Sequence, residues 1–281
     1  MKIFNKQSFA FLLVFLCLAS ILQAEPASRN IVIFGDSQAN YKVQKELVQT
    51  ILNFHPFLIF KVGDNVDNGN DPRLWQTFDQ INQPLFKTAE YFSALGNHEQ
   101  ESPWFFKSFP AVKNRSWYSV ERAGIHFIVL DSNLSLKPDS PQYKWLKSEL
   151  ISIKSGIKFK IALFHHPLFD VGIHPADTQG IKSDLLPLFK QYGVSAVFSG
   201  HDHNYQRFFY QNMFFIVTGG GGSPLYPQLK TSPYLQKFKQ IYHFCVLSPQ
   251  ADSIKVRVID YRGNPVDTFV IALPPEPAGN R

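Results

Sequence analysis

The chain has 281 residues, 44% of them hydrophobic, and a formal net charge of +6, which accommodates one large α/β domain. The positive excess is dispersed and falls by two without Lys2 and Lys6. It would draw anionic ligands over distance, but it forms no basic, aromatic-interleaved stripe, so no nucleic-acid partner is expected. With Cys17 in the N-terminal segment and Cys245 far downstream, a domain that loses that segment keeps one thiol and no intramolecular disulfide.

Residues 9–18, FAFLLVFLCL, form an apolar run preceded by Lys2 and Lys6 and followed by small residues. This reads as a secretory signal peptide over residues 1–24, leaving a domain at 25–281. The run lies near the lower limit for crossing a bilayer, so an uncleaved anchor is the alternative, and no stable membrane insertion is expected after removal. Export without disulfides predicts a periplasmic or secreted protein.

Downstream, YKVQKELVQTILNF places Val43, Leu47, Val48, Ile51 and Leu52 on one face, an amphipathic helix. It joins the first strand to a second over 57–62, a right-handed parallel βαβ unit. A helix through Trp75, Phe78 and Ile81 follows, then strands at 116–120 and 125–131 joined through Glu121-Arg122-Ala123-Gly124. Residues 141–150 and LLPLFKQY read as helices, the latter with Pro187 in its early turns, and VSAVFSGH returns to the sheet. Runs at 213–218, 240–248, 254–260 and 266–272 are expected to form antiparallel strands of a second sheet. The tail PPEPAGNR reads as a frayed end. The fold class is therefore α/β, a four-layer α/β/β/α sandwich of two mixed sheets flanked by helices.

Five apolar runs end in side chains that bind hard or borderline metal ions. IVIFGD ends at Asp36, LIFKVGD at Asp64, YFSALGNHE at Asn97 and His98, IALFHH at His165 and His166, and VFSGHDH at His201 and His203. Buried strands followed by Gly turns put these groups at strand ends, where open α/β sheets carry their sites. Carboxylate, amide and imidazole gathered from five strands point to a metal cluster.

The pattern resembles the calcineurin-like metallophosphoesterases, whose motifs D-x-H, G-D-x-x-D, G-N-H-[DE], a lone His and G-H-x-H stand here as Asp36-Ser37-Gln38, Gly63-Asp64-Asn65-Val66-Asp67, Gly96-Asn97-His98-Glu99, His165-His166-Pro167 and Gly200-His201-Asp202-His203. WYSVERAGIHFIVLDS, QYKWLKSEL, GHDHNYQR and GGGGSPLY are similar to the purple acid phosphatase branch. The resemblance implies a secreted phosphomonoesterase of acid phosphatase type with two divalent or trivalent ions of manganese, iron or zinc, acting through a metal-bound hydroxide. By that pattern Asp64 bridges the ions, Asp36 and His203 belong to the first, and Asn97, His165 and His201 to the second. His98 would protonate the leaving alkoxide, with His166 and His174 facing a small-molecule phosphate ester.

Two departures stand out. Gln38 replaces the His of the first motif, so its carbonyl or a water is left to complete the first site, and Asp67 stands where the coloured enzymes carry a metal-binding Tyr. Asp67 is expected to order its loop, and Glu99 to support a ligand. His55, His126 and His243 read as structural, and Gly219 to Gly222 as a close backbone approach beside the site. The same metal core serves phosphodiesterases and nucleotidases, substrate choice lying in the loops at 67–75, 100–116 and 168–180. A non-catalytic metal-binding surface protein is the alternative of another class. Iron-loaded protein is expected to lack the purple band, with neither Tyr41 nor Tyr205 binding iron; a strong tyrosinate absorption in its visible spectrum would refute this alignment.

Overall fold

The computed structural model describes residues 30–152, 155–177 and 180–273. The leader and the tail PPEPAGNR lie outside the described residues. The elements are β1 (Ile31–Phe34), α1 (Tyr41–Leu52), β2 (Leu58–Lys61), α2 (Pro72–Phe86), β3 (Glu90–Ser93), α3 (Pro103–Ser108), β4 (Tyr118–Arg122), β5 (Ile125–Val129), α4 (Pro141–Ile151), β6 (Phe159–Leu163), α5 (Lys182–Gln191), β7 (Ala196–Ser199), β8 (Tyr205–Tyr210), β9 (Met213–Thr218), β10 (Leu235–Lys239), β11 (His243–Pro249), β12 (Ser253–Asp260) and β13 (Pro265–Ala272).

Three helices start by the same device. Asp71-Pro72, Ser102-Pro103 and Ser140-Pro141 each supply a side-chain oxygen to a first-turn N–H and a proline whose fixed φ suits the first helical position. Asn40 caps α1 through Val43 N at 3.2 Å. Pro187 falls in the second turn of α5.

One sheet has the order β13-β12-β11-β1-β2-β3 and the other β10-β8-β9-β7-β6-β5-β4. Strands β1, β2 and β3 are parallel, as are β5, β6, β7 and β9. The two-sheet, four-layer expectation holds, but the assignment of the C-terminal strands does not. β11 pairs antiparallel with β1, so β11 to β13 extend the first sheet, and β9 enters the second sheet parallel to β7. Local patterning marks a strand but not its neighbour, because the pairing spans over two hundred residues of chain.

Strands β1, β2, β5 and β7 are buried on both faces, which is why they read as continuous apolar runs, whereas the edge strands β4, β10 and β13 are partly exposed. Phe60 of β2 meets Phe127 of β5 across the sheet interface with centroids 4.6 Å apart, and stacks on Phe92 at 5.4 Å. Leu47, Val48 and Ile51 of α1 cover the first sheet, while Leu146 and Leu150 of α4 and Leu185 and Phe189 of α5 cover Ile128, Ala162 and Val197 of the second. Among the described residues, no helix is long and apolar enough to cross a membrane. Phe60→Ala should leave a cavity at the junction of the two sheets and lower unfolding free energy by about 3–5 kcal/mol; urea denaturation showing less than about 1 kcal/mol would mean that this contact does not set the sheet packing.

Candidate metal centre

The parallel strands of both sheets point their C-terminal ends at one place. Asp36 follows β1, Asp64 follows β2, Asn97 and His98 follow β3, His165 follows β6, and His201 and His203 follow β7. Three of these residues turn sharply out of their strands in the left-handed region, with φ of 58° at Asp36, 51° at Asp64 and 71° at His201. Such conformations cost on the order of 1 kcal/mol or more at non-glycine residues and cluster at functional sites. Backbone bonds between the turns hold them, Asp36 N donating to Gly63 O at 3.0 Å and Ser37 N to Asp64 O at 2.8 Å. Gly96 is required beside them, since a Cβ there would lie 2.1 Å from Asp64 Oδ1.

Asp64 sits between two groups of donors. On one side His165 Nε2 is 3.3 Å from Asp64 Oδ2, and Asn97 Oδ1 lies 3.0 Å from His165 Nε2 and 3.1 Å from His201 Nδ1. The two imidazole nitrogens approach each other at 3.2 Å. On the other side Gln38 Nε2 is 3.4 Å from Asp64 Oδ2, and His203 Nε2 is 3.7 Å from Asp36 Oδ1. Buried atoms with no hydrogen-bond partner include Asp36 Oδ2 and Gln38 Oε1. Asp36, Asp64 and His165 converge closely enough to share one ion, as do His165, His166 and His201, so the structure brings Asp36 toward His165 and His166 toward the nitrogen donors, which differs from the split the resemblance implies. Converging lone pairs and orphaned buried oxygens are what a cation satisfies.

The electrostatics set His165 apart from the other three imidazoles of the cluster. Burial raises Asp36 well above the usual carboxylate range, with His165 opposing and Asp64 adding to the shift. Burial works against charge on His165 as well, yet the Asp64 and Asp36 carboxylates carry its pKa up to about 10. Burial lowers His201 to about 2, His166 to about 3 and His203 to about 4, the charge on His165 contributing in each case. Those three imidazoles are neutral, the form in which nitrogen donates a lone pair to a metal.

Among the supports around this cluster, Glu99 and Val62 have no exposed surface. Glu99 accepts from Asp64 N at 3.0 Å, Asn65 N at 2.6 Å and Gly96 N at 2.6 Å, tying the second and third motif turns together. His165 Nδ1 is 2.9 Å from Val62 O and His203 Nδ1 is 2.9 Å from Pro224 O, which fixes both rings with Nε2 toward the cluster. The glycine segment lies beside it through Gly221 N to Gly35 O at 2.8 Å, and Ser223 N donates to Asp36 O at 3.0 Å.

Of the three candidates expected to face substrate, His166 and His174 both contact His201, and His98 lies beside Asp64. His98 points Nδ1 at Asp67 O, 2.7 Å away, and Nε2 toward Asp64 Oδ2 at 3.9 Å. His166 contacts Ser132 Oγ at 2.8 Å, its ring 4.6 Å from that of His201. His174 stacks on His201 at 4.0 Å with Nδ1 3.5 Å from Asp202 Oδ1. Asp67 orders its loop through its backbone carbonyl while its carboxylate is 68% exposed. The expected structural histidines are elsewhere: His126 contacts Glu121 and Glu149, and His243 contacts Thr218 Oγ1 and Ile241 O. Tyr205 donates to Asp267 Oδ2, away from the cluster, and Tyr41 is exposed on α1.

Sequence reasoning missed several residues. Tyr226 stacks on His203 at 4.2 Å and approaches His174. Asp202, the middle residue of Gly200-His201-Asp202-His203, is buried and anchors the His174 loop; a Cβ on Gly172 would lie 1.5 Å from Asp202 Oδ2. Lys61, 0% exposed, donates from Nζ to Ser37 Oγ at 2.7 Å. A lysine inside the apolar run LIFKVGD was the available signal for the last.

Residues 29–205 match the family model for calcineurin-like phosphoesterases. Purple acid phosphatase 18 of Arabidopsis thaliana is 32% identical over 149 residues, 47% of this chain and 34% of that protein. Tartrate-resistant acid phosphatase type 5 of Rattus norvegicus is 26% identical over 221 residues, covering 66% of this chain and 67% of that one. Among solved structures, the purple acid phosphatase PPD1 from yellow lupin seeds superposes with a TM-score of 0.75 at 20% identity, over 87% of this chain and 53% of that one. The chain thus spans about a third of the plant relative and two thirds of the rat protein. With the family model matched over more than half of its length, the chain belongs to the calcineurin-like phosphoesterases.

Proposed function

We propose that the protein is an exported, dinuclear metal-dependent phosphomonoesterase of acid phosphatase type. The observation that carries this reading is the position of Asp64 between two donor groups, Asp36 with Gln38 and His203 on one side and Asn97 with His165 and His201 on the other. When bound there, a pair of manganese, iron or zinc ions supplies an ionised water and neutralises charge on the phosphoryl oxygens. Export rests on the leader at residues 1–24, and the periplasm or exterior is the compartment inferred.

The chain's own groups divide the remaining work. Asp64 offsets the charge of both positions, and Glu99 holds its turn through three backbone N–H groups. Gln38 turns Nε2 to Asp64 and leaves Oε1 unpaired; a half-turn of the amide would present the carbonyl oxygen to a cation. His98 has Nδ1 committed to a carbonyl, so the proton for the departing alkoxide comes from Nε2. His174, steadied by Asp202, and His166, steadied by Ser132, border the same space and would contact phosphoryl oxygens. Hydrolysis consumes one water and releases an alcohol and phosphate.

Chelator-treated protein reloaded with Mn(II), Zn(II) or Fe(II) should hydrolyse nitrophenyl phosphate and leave bis-nitrophenyl phosphate largely intact. Preference for the diester would favour the phosphodiesterase reading, and no turnover of either ester with any ion would overturn the catalytic reading. Asp64→Asn should keep the fold by circular dichroism while losing turnover and metal content; full occupancy and activity would reassign the bridge. His98→Ala should keep both ions and slow esters of poor leaving groups by about 10²- to 10⁴-fold, with nitrophenyl esters much less affected. The check is rate against leaving-group pKa, where an unchanged slope would reject His98 as the proton donor.

A further inference from the structure

Three carboxylates, Asp36, Asp64 and Glu99, are buried around the turns that follow β1, β2 and β3, each no more than 2% exposed. Lys61, the last residue of β2, lies behind them with no exposed surface. Its Nζ donates to Ser37 Oγ, next to Asp36, and stands over the Phe34 ring at 4.1 Å and 5.8 Å from that of Phe78. A lysine so enclosed is costly unless its charge is used. The first metal position adds only one carboxylate of its own, Asp36, to the shared Asp64, because Gln38 and His203 are neutral donors and Asp67 turns its carboxylate to solvent.

Resting on the metal-centre reading, we infer that Lys61 is a built-in countercharge that sets the ionic charge accepted by the position of Asp36, Gln38 and His203. Burial lowers the Lys61 pKa to about 7 against the pull of Asp36, Glu99 and Asp64, and in its ammonium form this side chain repels a metal ion behind the site in proportion to the ion's charge. The position therefore takes divalent ions and discriminates against trivalent ones. The ammonium also offsets part of the repulsion between the buried carboxylates, so their approach does not rest on metal alone.

The test is calorimetric and needs no turnover. Wild-type protein should bind Mn(II) at both positions and, in competition with Ga(III) delivered from citrate, keep Mn(II) at one of them; Ga(III) filling both positions would overturn the inference without any variant. Lys61→Met should tighten Mn(II) at the first position roughly 10-fold and Ga(III) roughly 30-fold, since the energies scale as two to three. Lys61→Arg, which keeps the charge, should stay close to wild type. Lys61→Gln retains a donor for Ser37 Oγ and serves if the methionine variant does not fold by circular dichroism. Affinities insensitive to Lys61, or shifted equally by methionine and arginine, would overturn this inference and leave the metal centre standing. No Mn(II) binding by the wild type would overturn both.

Discussion

Like charge gathered out of water is the constraint on which the site and much of the fold depend. Asp36, Asp64 and Glu99 are buried within neighbouring turns, where no water screens them from one another. Left uncompensated, such a group would take up protons or open to solvent. The structure answers by several means at once. Backbone N–H groups surround Glu99, His201 N donates to Asp36 Oδ1 at 2.9 Å, and His165 is drawn toward the cationic form between Asp64 and Asp36. The neutral imidazoles of His201 and His203 face the same space with their lone pairs. A metal ion that displaces the His165 proton satisfies these groups together, which no single proton can do.

The two-sheet architecture supplies the rigidity that this requires. Each ligand sits within four residues of the end of a strand buried on both faces, so its turn has little freedom to relax away from its neighbours. The left-handed conformations of Asp36, Asp64 and His201 would revert in a flexible loop. Here they are cross-tied, and the cost is borne by apolar burial between the sheets, with Phe60 and Phe127 at its centre.

How far the sequence could be read follows from how local each feature is. The five strand ends were legible because a buried strand and a candidate ligand follow one another closely in the chain, with a glycine between them in four of the five and Phe164 in the fifth. Helices α2 and α4 were legible from their apolar residues, whereas α3 lies in the stretch 100–116 read only as a loop, its Ser102-Pro103 start passed over. The joining of β11 to β1 was not legible, since nothing in HFCVL names its partner, and β8 was hidden because Tyr205–Tyr210 begins inside a motif read only for its histidines. Asp202 was visible as a letter but not as a contact. Its carboxylate meets His174 only because the loop after β6 folds back over the turn after β7. Tyr226 and Ser132 belong to the same class, brought in by loops whose course the sequence does not state.

Asp202 also bears on how such a site keeps its substrate loop in register. Its neighbours His201 and His203 face the candidate ions, and its own side chain holds the loop from Asp170 to His174. Gln206 Nε2 bridges Asp170 Oδ1 at 2.6 Å and Asp202 Oδ2 at 3.2 Å. Burial, followed by the hydrogen bond and charge of Asp202, pushes Asp170 up to about 7, so the two carboxyl groups can share a proton where two full charges would repel. One four-residue turn thus orients the imidazoles of His201 and His203 toward the candidate ions and pins His174 beside them. His174 is therefore held relative to His201 by a residue of the motif itself and not only by the loop that carries it.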